Sequence, residues 1–137
     1  MCRLMMANRA GIEYIEKNYG LENLFDHLER QLGGHGNGIC FIYKDGSYFI
    51  RKGVNLTNEE IAEEVLRKIR HIKWIIYHTR LASVGSISDR NCHPFNNNGR
   101  VMAMNGTEHN YTIANKKLTD TENILITTDN ITRGTRE

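Results

Sequence analysis

The chain has 137 residues, 39% of them hydrophobic and 25% charged, with a formal net charge of +2 from 18 Lys and Arg against 16 Asp and Glu. That length suits one domain with one core, and basic residues scattered along the chain are not the concentrated patch of a nucleic-acid binder. No apolar run approaches the roughly 20 residues of a membrane-spanning helix, and the start MCRLMMANRAG lacks the order of a secretory signal. A membrane role is not expected, and the cytoplasm is the expected compartment.

In chain order, residues 2 to 7 are mostly apolar and predict a short strand, with a turn at Gly11 and a short helix before Gly20. Leu21, Leu24, Phe25, Leu28 and Leu32 recur at helical spacing until the glycines of GGHGNG stop the helix. Ile39 to Tyr43 form a β-prone run, Lys44-Asp45-Gly46 signals a tight turn, and Tyr48 to Ile50 returns as the second strand of a hairpin. Thr57 followed by Glu60 is a capping-box signature, and Ile61, Val65, Leu66 and Ile69 mark one face of a helix running to about Arg70. Ile72 to Thr79 reads as a buried strand. The polar stretch from Arg80 to Asn98 reads as a loop, Arg100 to Met104 as a short strand, and the tail after Leu125, poor in helix formers, as frayed. Helices interleaved with a hairpin favour an α+β domain with antiparallel pairing over a doubly wound parallel sheet.

Three cysteines, at positions 2, 40 and 92, have no short paired spacing, which argues against a disulfide framework or a Cys-rich zinc site. Cys2 carries the most chemistry, because loss of Met1 would put a thiol and a free α-amine on one residue. Such an amine titrates at roughly 7.7 to 8.0 and can serve as general base to its own thiol; the plain alternative is a small packed hydrophobe. Cys40, within an apolar strand, is expected to be structural. His78-Thr79-Arg80 ends the apolar strand, and a guanidinium there suits a two-pronged clamp on a carboxylate, or an ordinary ion pair. Asn91 and His93 lie in the loop with the only proline. Met104-Asn105-Gly106 offers a side-chain amide and an approachable main-chain N–H, the parts of an oxyanion hole, although Asn-Gly is also a common turn. Thr119-Asp120-Thr121-Glu122 is read locally as a helix cap.

The ordered set Cys2, HTRLASVG, NCHPF, Asn105-Gly106 and TDTE resembles the class II glutamine amidotransferases, in which Met-Cys, His-Thr-Arg-x-Ala/Ser, Asn-x-His-Pro, Asn-Gly and Asp-Thr-Glu occur in that order. ENLFDHLERQLGGHGNGICFI also resembles the family's region before its first hairpin. The resemblance implies the four-layer αββα sandwich of the N-terminal nucleophile hydrolases. It implies Cys2 as nucleophile and Asn105 and Gly106 as oxyanion donors. Substrate binding falls to Arg80 at the α-carboxylate, Asp120 at the α-ammonium, and the motif residues Ser83 and His93, with Asn91 and His93 supporting the loop. The implied reaction is hydrolysis of the glutamine side-chain amide through a γ-glutamyl thioester, with ammonia passed to a separate synthase. No cofactor or metal is expected. MCRL resembles the small stand-alone branch, some of whose members cleave other γ-glutamyl amides. Arg3 stands where many members have Gly, Ser83 where they have Thr, and Met104 where they have His. The family continues well past its Asp-Thr-Glu, so an incomplete second sheet, with an edge open to an oligomeric partner, is expected. A γ-glutamyl amide hydrolase acting alone and a non-catalytic binding domain are the alternatives.

Overall fold

The computed structural model describes residues 2–111 and 118–134. Its strands are β1 (Arg3–Asn8), β2 (Asn37–Tyr43), β3 (Tyr48–Gly53), β4 (Ile72–Thr79), β5 (Phe95–Asn97) and β6 (Arg100–Met102). Its α-helices are α1 (Arg9–Asn18), α2 (Leu21–Leu32), α3 (Asn58–Lys68) and α4 (Asp120–Gly134). Single turns of 3₁₀ helix occur at Asp89–Asn91 and His109–Tyr111. The fold is α+β, and every strand pairing described is antiparallel.

Four strands form one sheet in the order β1-β4-β2-β3, so β4 and β2 are central and β1 and β3 are edges. The register aligns Ala7 with Ile75 and Ile75 with Phe41, and two residues on, Met5 with Tyr77 and Tyr77 with Ile39. Alternate residues share a face. This face is the core, closed by Ile12 of α1, Leu21 and Phe25 of α2, and Ile61, Ala62 and Val65 of α3. The Phe25 and Tyr77 rings stack at 4.1 Å. The single Tyr77 hydroxyl proton goes to Asn58 Oδ1 at 2.9 Å, with the Phe25 carbonyl also in reach at 3.3 Å, so the buried hydroxyl is satisfied. On the other face Leu4 and Met6 are exposed, while the chain around His93 lies against Gly38. A Cβ at Gly38 would overlap the His93 carbonyl oxygen, so that close approach requires glycine.

Local signals explain most elements. Both halves of the expected capping box form at α3: Thr57 Oγ1 accepts from Glu60 N at 3.2 Å and Glu60 Oε2 accepts from Thr57 N at 3.0 Å. The helix ends at Lys68, slightly short of the expected Arg70. The first helix begins earlier than expected, immediately after β1, because Asn8 Oδ1 caps Gly11 N at 2.8 Å and so draws Gly11 into the helix.

Three expectations are corrected. The stretch 80–98 is not all loop, since Phe95–Asn97 forms β5 and pairs with β6 across Asn98-Gly99. Both turn residues have positive φ, 50° and 77°, the conformation that tight hairpin turns require and that Asn-Gly favours. β6 in turn stops at Met102, short of the expected Met104. The tail is not frayed after Leu125, because α4 continues to Gly134. Thr119 caps it through Oγ1 to Glu122 N at 3.2 Å, and buried Thr121 and Leu125 anchor its first turns. Thr127 and Thr128 send their hydroxyls back to the carbonyls of Asn123 and Ile124 at 2.8 and 2.9 Å, so poor helix formers are accommodated by tertiary packing and local bonding.

Candidate functional site around Cys2

The pairing of Arg3 with Thr79 sets Cys2 beside the chain leaving β4. Cys2 is buried, and its Sγ lies 3.2 Å from Leu81 N, which donates to it, and 3.5 Å from the Leu81 carbonyl. Cys2 N donates to Asn105 Oδ1 at 2.9 Å, joining residues 103 positions apart. With its oxygen held this way, the Asn105 side chain keeps its N–H groups for another acceptor. Gly106 follows, exposed, with φ of 141° and no heavy atom within 4 Å of where a Cβ would stand. The Asn105 side chain is therefore tied to the Cys2 main chain, with Gly106 next in sequence.

The segment after β4 is fixed from below by the glycine-rich loop before β2. Arg80 N donates to the Gly36 carbonyl at 2.8 Å, His35 N to the Arg80 carbonyl at 2.9 Å, and Ala82 N to His35 Nδ1 at 2.9 Å. His35 was not singled out from the sequence, where it is only a polar residue among glycines.

Arg80 is 2% exposed, and its guanidinium donates to loop carbonyls: Nη1 to Ser86 at 2.7 Å, Nη2 to Val84 at 2.7 Å and to Gly85 at 3.4 Å. Burial lowers its pKa, partly opposed by Cys92, Cys2 and Asp120. The expected clamp on a carboxylate thus requires loop 84–86 to release these donors. Asn91 Nδ2 donates to the Ser86 carbonyl at 3.0 Å and braces the same loop.

The remaining candidates are linked to this cluster. Exposed Ser83 bonds through Oγ to Thr107 Oγ1 at 2.8 Å. Asp120, 5% exposed at the start of α4, accepts Glu108 N at 2.7 Å through Oδ2. His93 Nδ1 accepts Met104 N at 3.2 Å, and the Met104 carbonyl is 3.1 Å from His78 Nε2. The two imidazoles stack at 4.0 Å. Burial is the first cause lowering both pKa values, to about 4 for His78; for His93 charge repulsion from His78, Arg80 and Lys52 adds to it. Lys52 Nζ donates to the Pro94 carbonyl at 3.1 Å and lies 4.0 Å over the Phe95 ring.

Cys40 and Cys92 are buried free thiols; burial pushes Cys40 up to about 11. A surface cavity of about 400 Å³ at the β2–β3 turn is lined by Tyr43, Lys44, Lys68 and His71, among others, and by none of the candidate residues. Among the described residues no group of three or more His, Cys, Asp or Glu is arranged to hold a metal ion, and no helix is long and apolar enough to cross a membrane. No protein-family model and no curated protein matches the chain.

Proposed function

We propose that this chain, once Met1 is removed, is an N-terminal-cysteine hydrolase of the side-chain amide of glutamine, built on the αββα sandwich. The observation that carries the reading is the convergence of Cys2 N, Cys2 Sγ and Asn105 through hydrogen bonds spanning 79 and 103 residues. An amine held by Asn105 Oδ1 stays close to its own sulfur and takes the thiol proton. The thiolate attacks the amide carbon, and the carbonyl becomes an oxyanion that accepts hydrogen bonds from Asn105 Nδ2 and Gly106 N. Collapse breaks the C–N bond, the amine's proton goes to the departing nitrogen, and ammonia leaves a γ-glutamyl thioester. Water, deprotonated by the same amine, then attacks the thioester, releasing glutamate and restoring the thiol.

In this reading Arg80 holds the α-carboxylate after the loop carbonyls give way, Asp120 holds the α-ammonium, and Ser83 and His93 shape the substrate site. Ammonia passes to a separate synthase. The internal use of Arg80 favours a second reading, a binding domain whose pocket no longer takes an amino acid. The deciding experiment uses protein shown by intact mass to lack Met1. Ammonia release from glutamine should be measurable in the wild type and absent in Cys2→Ala. Equal release by Cys2→Ala would end the proposal, and a wild type whose Cys2 is alkylated but which cleaves neither glutamine nor other γ-glutamyl amides decides for the second reading.

A further inference from the structure

We propose that His78 and His93 are a positioning pair, gripping the Met104 peptide from both sides to fix the Asn105-Gly106 turn against Cys2. The partners set the tautomers. A carbonyl only accepts, so His78 Nε2, 3.1 Å from the Met104 oxygen, carries the proton. A backbone N–H only donates, so His93 Nδ1, 3.2 Å from Met104 N, is bare and its proton sits on Nε2. Each ring is therefore a neutral Nε2–H imidazole, and the two use opposite faces of their chemistry on one residue.

The grip has a stiff mount. His78 is 0% exposed on β4, a strand paired on both sides, and stacks on His93 at 4.0 Å with the planes 10° apart. His93 is 6% exposed, meets Phe95 edge-on at 4.9 Å, and its main chain rests on Gly38 of β2. Burial holds both rings neutral, and His93 has to be neutral for its Nδ1 to accept Met104 N. Met104 is one residue before Asn105, whose Oδ1 takes the bond from Cys2 N. The turn is exposed at both Asn105 and Gly106, so apart from the Cys2 bond and the Thr107 and Glu108 contacts that follow it, the pair is what restrains it at Met104.

The consequence for rate rests on the reading of Asn105 and Gly106 as oxyanion donors, whereas the grip itself does not, and the test separates them. In the wild type, nitrogen-15 NMR of the imidazoles at pH 7 should show both rings as Nε2–H tautomers; a proton on His93 Nδ1, or rapid exchange between tautomers, overturns the grip whatever the variants do. His93→Phe and His78→Phe keep a stacked ring and remove one bond each. In His93→Phe, exchange of the Met104 amide, whose N–H His93 Nδ1 accepts, should speed at least tenfold while β4 amides keep their protection. The kcat for ammonia release, normalised by iodoacetamide titration of Cys2, should fall about 100-fold in both variants, the scale of a roughly 1 Å misplacement, with KM within about threefold in His78→Phe. A merely structural role would lower the titratable fraction and leave kcat per site intact, and that result overturns the positioning role. If the wild type itself releases no ammonia, the glutaminase reading fails, and unchanged exchange of the Met104 amide in folded His93→Phe is then what refutes the grip.

Discussion

Acidification should destabilise this fold through His78 and His93, well above the pH at which carboxylates titrate. Above pH 6.5 neither the folded nor the unfolded rings hold a second proton, and nothing is lost. Below it the unfolded imidazoles take up protons, while the folded rings, with lowered pKa, do not, so stability falls with falling pH until the folded rings titrate, near pH 4 for His78. At about 1.4 kcal/mol per pH unit for each ring, allowing for partial protonation near 6.5, the loss between pH 7 and pH 5 is about 2 kcal/mol each and roughly 4 kcal/mol for the pair. Against the 5–15 kcal/mol typical of a domain, that is a large share. With a urea slope of about 2 kcal/mol/M the midpoint should drop by roughly 2 M. Asp45 and Glu60, whose pKa values are lowered by hydrogen bonds from Ser47 and Thr57, stay ionised in this window. The assay is urea unfolding followed by circular dichroism at pH 7, 6 and 5, for the wild type and for the double variant His78→Gln, His93→Gln. An equal midpoint at pH 7 and pH 5, or the same pH dependence in the double variant, would refute the reasoning.

Arg80→Lys keeps the charge but loses the planar fork that holds Val84 and Ser86. KM for glutamine should rise about 10- to 100-fold, the equivalent of one charge-assisted bond, while Cys2 alkylation by iodoacetamide stays within about threefold; an unchanged KM would remove Arg80 from the substrate site. Tyr77→Phe strips the buried hydroxyl from Asn58 Oδ1 and should cost about 1–3 kcal/mol in chemical denaturation, and a loss below about 0.5 kcal/mol would show that the bond contributes little. Cys40→Ala should keep ammonia release and lose about 1 kcal/mol of stability. Because its thiol is buried and pushed up to about 11, mapping of iodoacetamide adducts at pH 8 should find Cys2 and not Cys40; a Cys40 adduct in folded protein contradicts this.

Much of the scaffold was written in short-range signals. The Thr57 and Glu60 pair, the Lys44-Asp45-Gly46 turn and the apolar run Ile72 to Thr79 each act within a few residues, and each gave the element that forms. The β5–β6 hairpin across Asn98-Gly99 lies in a stretch that reads as loop, because three-residue strands are too short for alternation to declare them. What tertiary structure alone decided falls into two kinds. The helix α4 has a weak helical sequence, and it forms because Thr121 and Leu125 are buried and its threonines find carbonyls, none of which periodicity encodes. The site depends on contacts between segments: Cys2 meets Leu81 and Asn105 only because β1 pairs with β4, and His78 and His93 meet Met104 only because the chain after Cys92 lies over Gly38. The residue types were visible in the sequence. Their spatial roles, including the internal use of the Arg80 fork and the support from His35, were not, because hydrogen-bond partners tens of residues apart are chosen by strand register and packing rather than by neighbours in the chain.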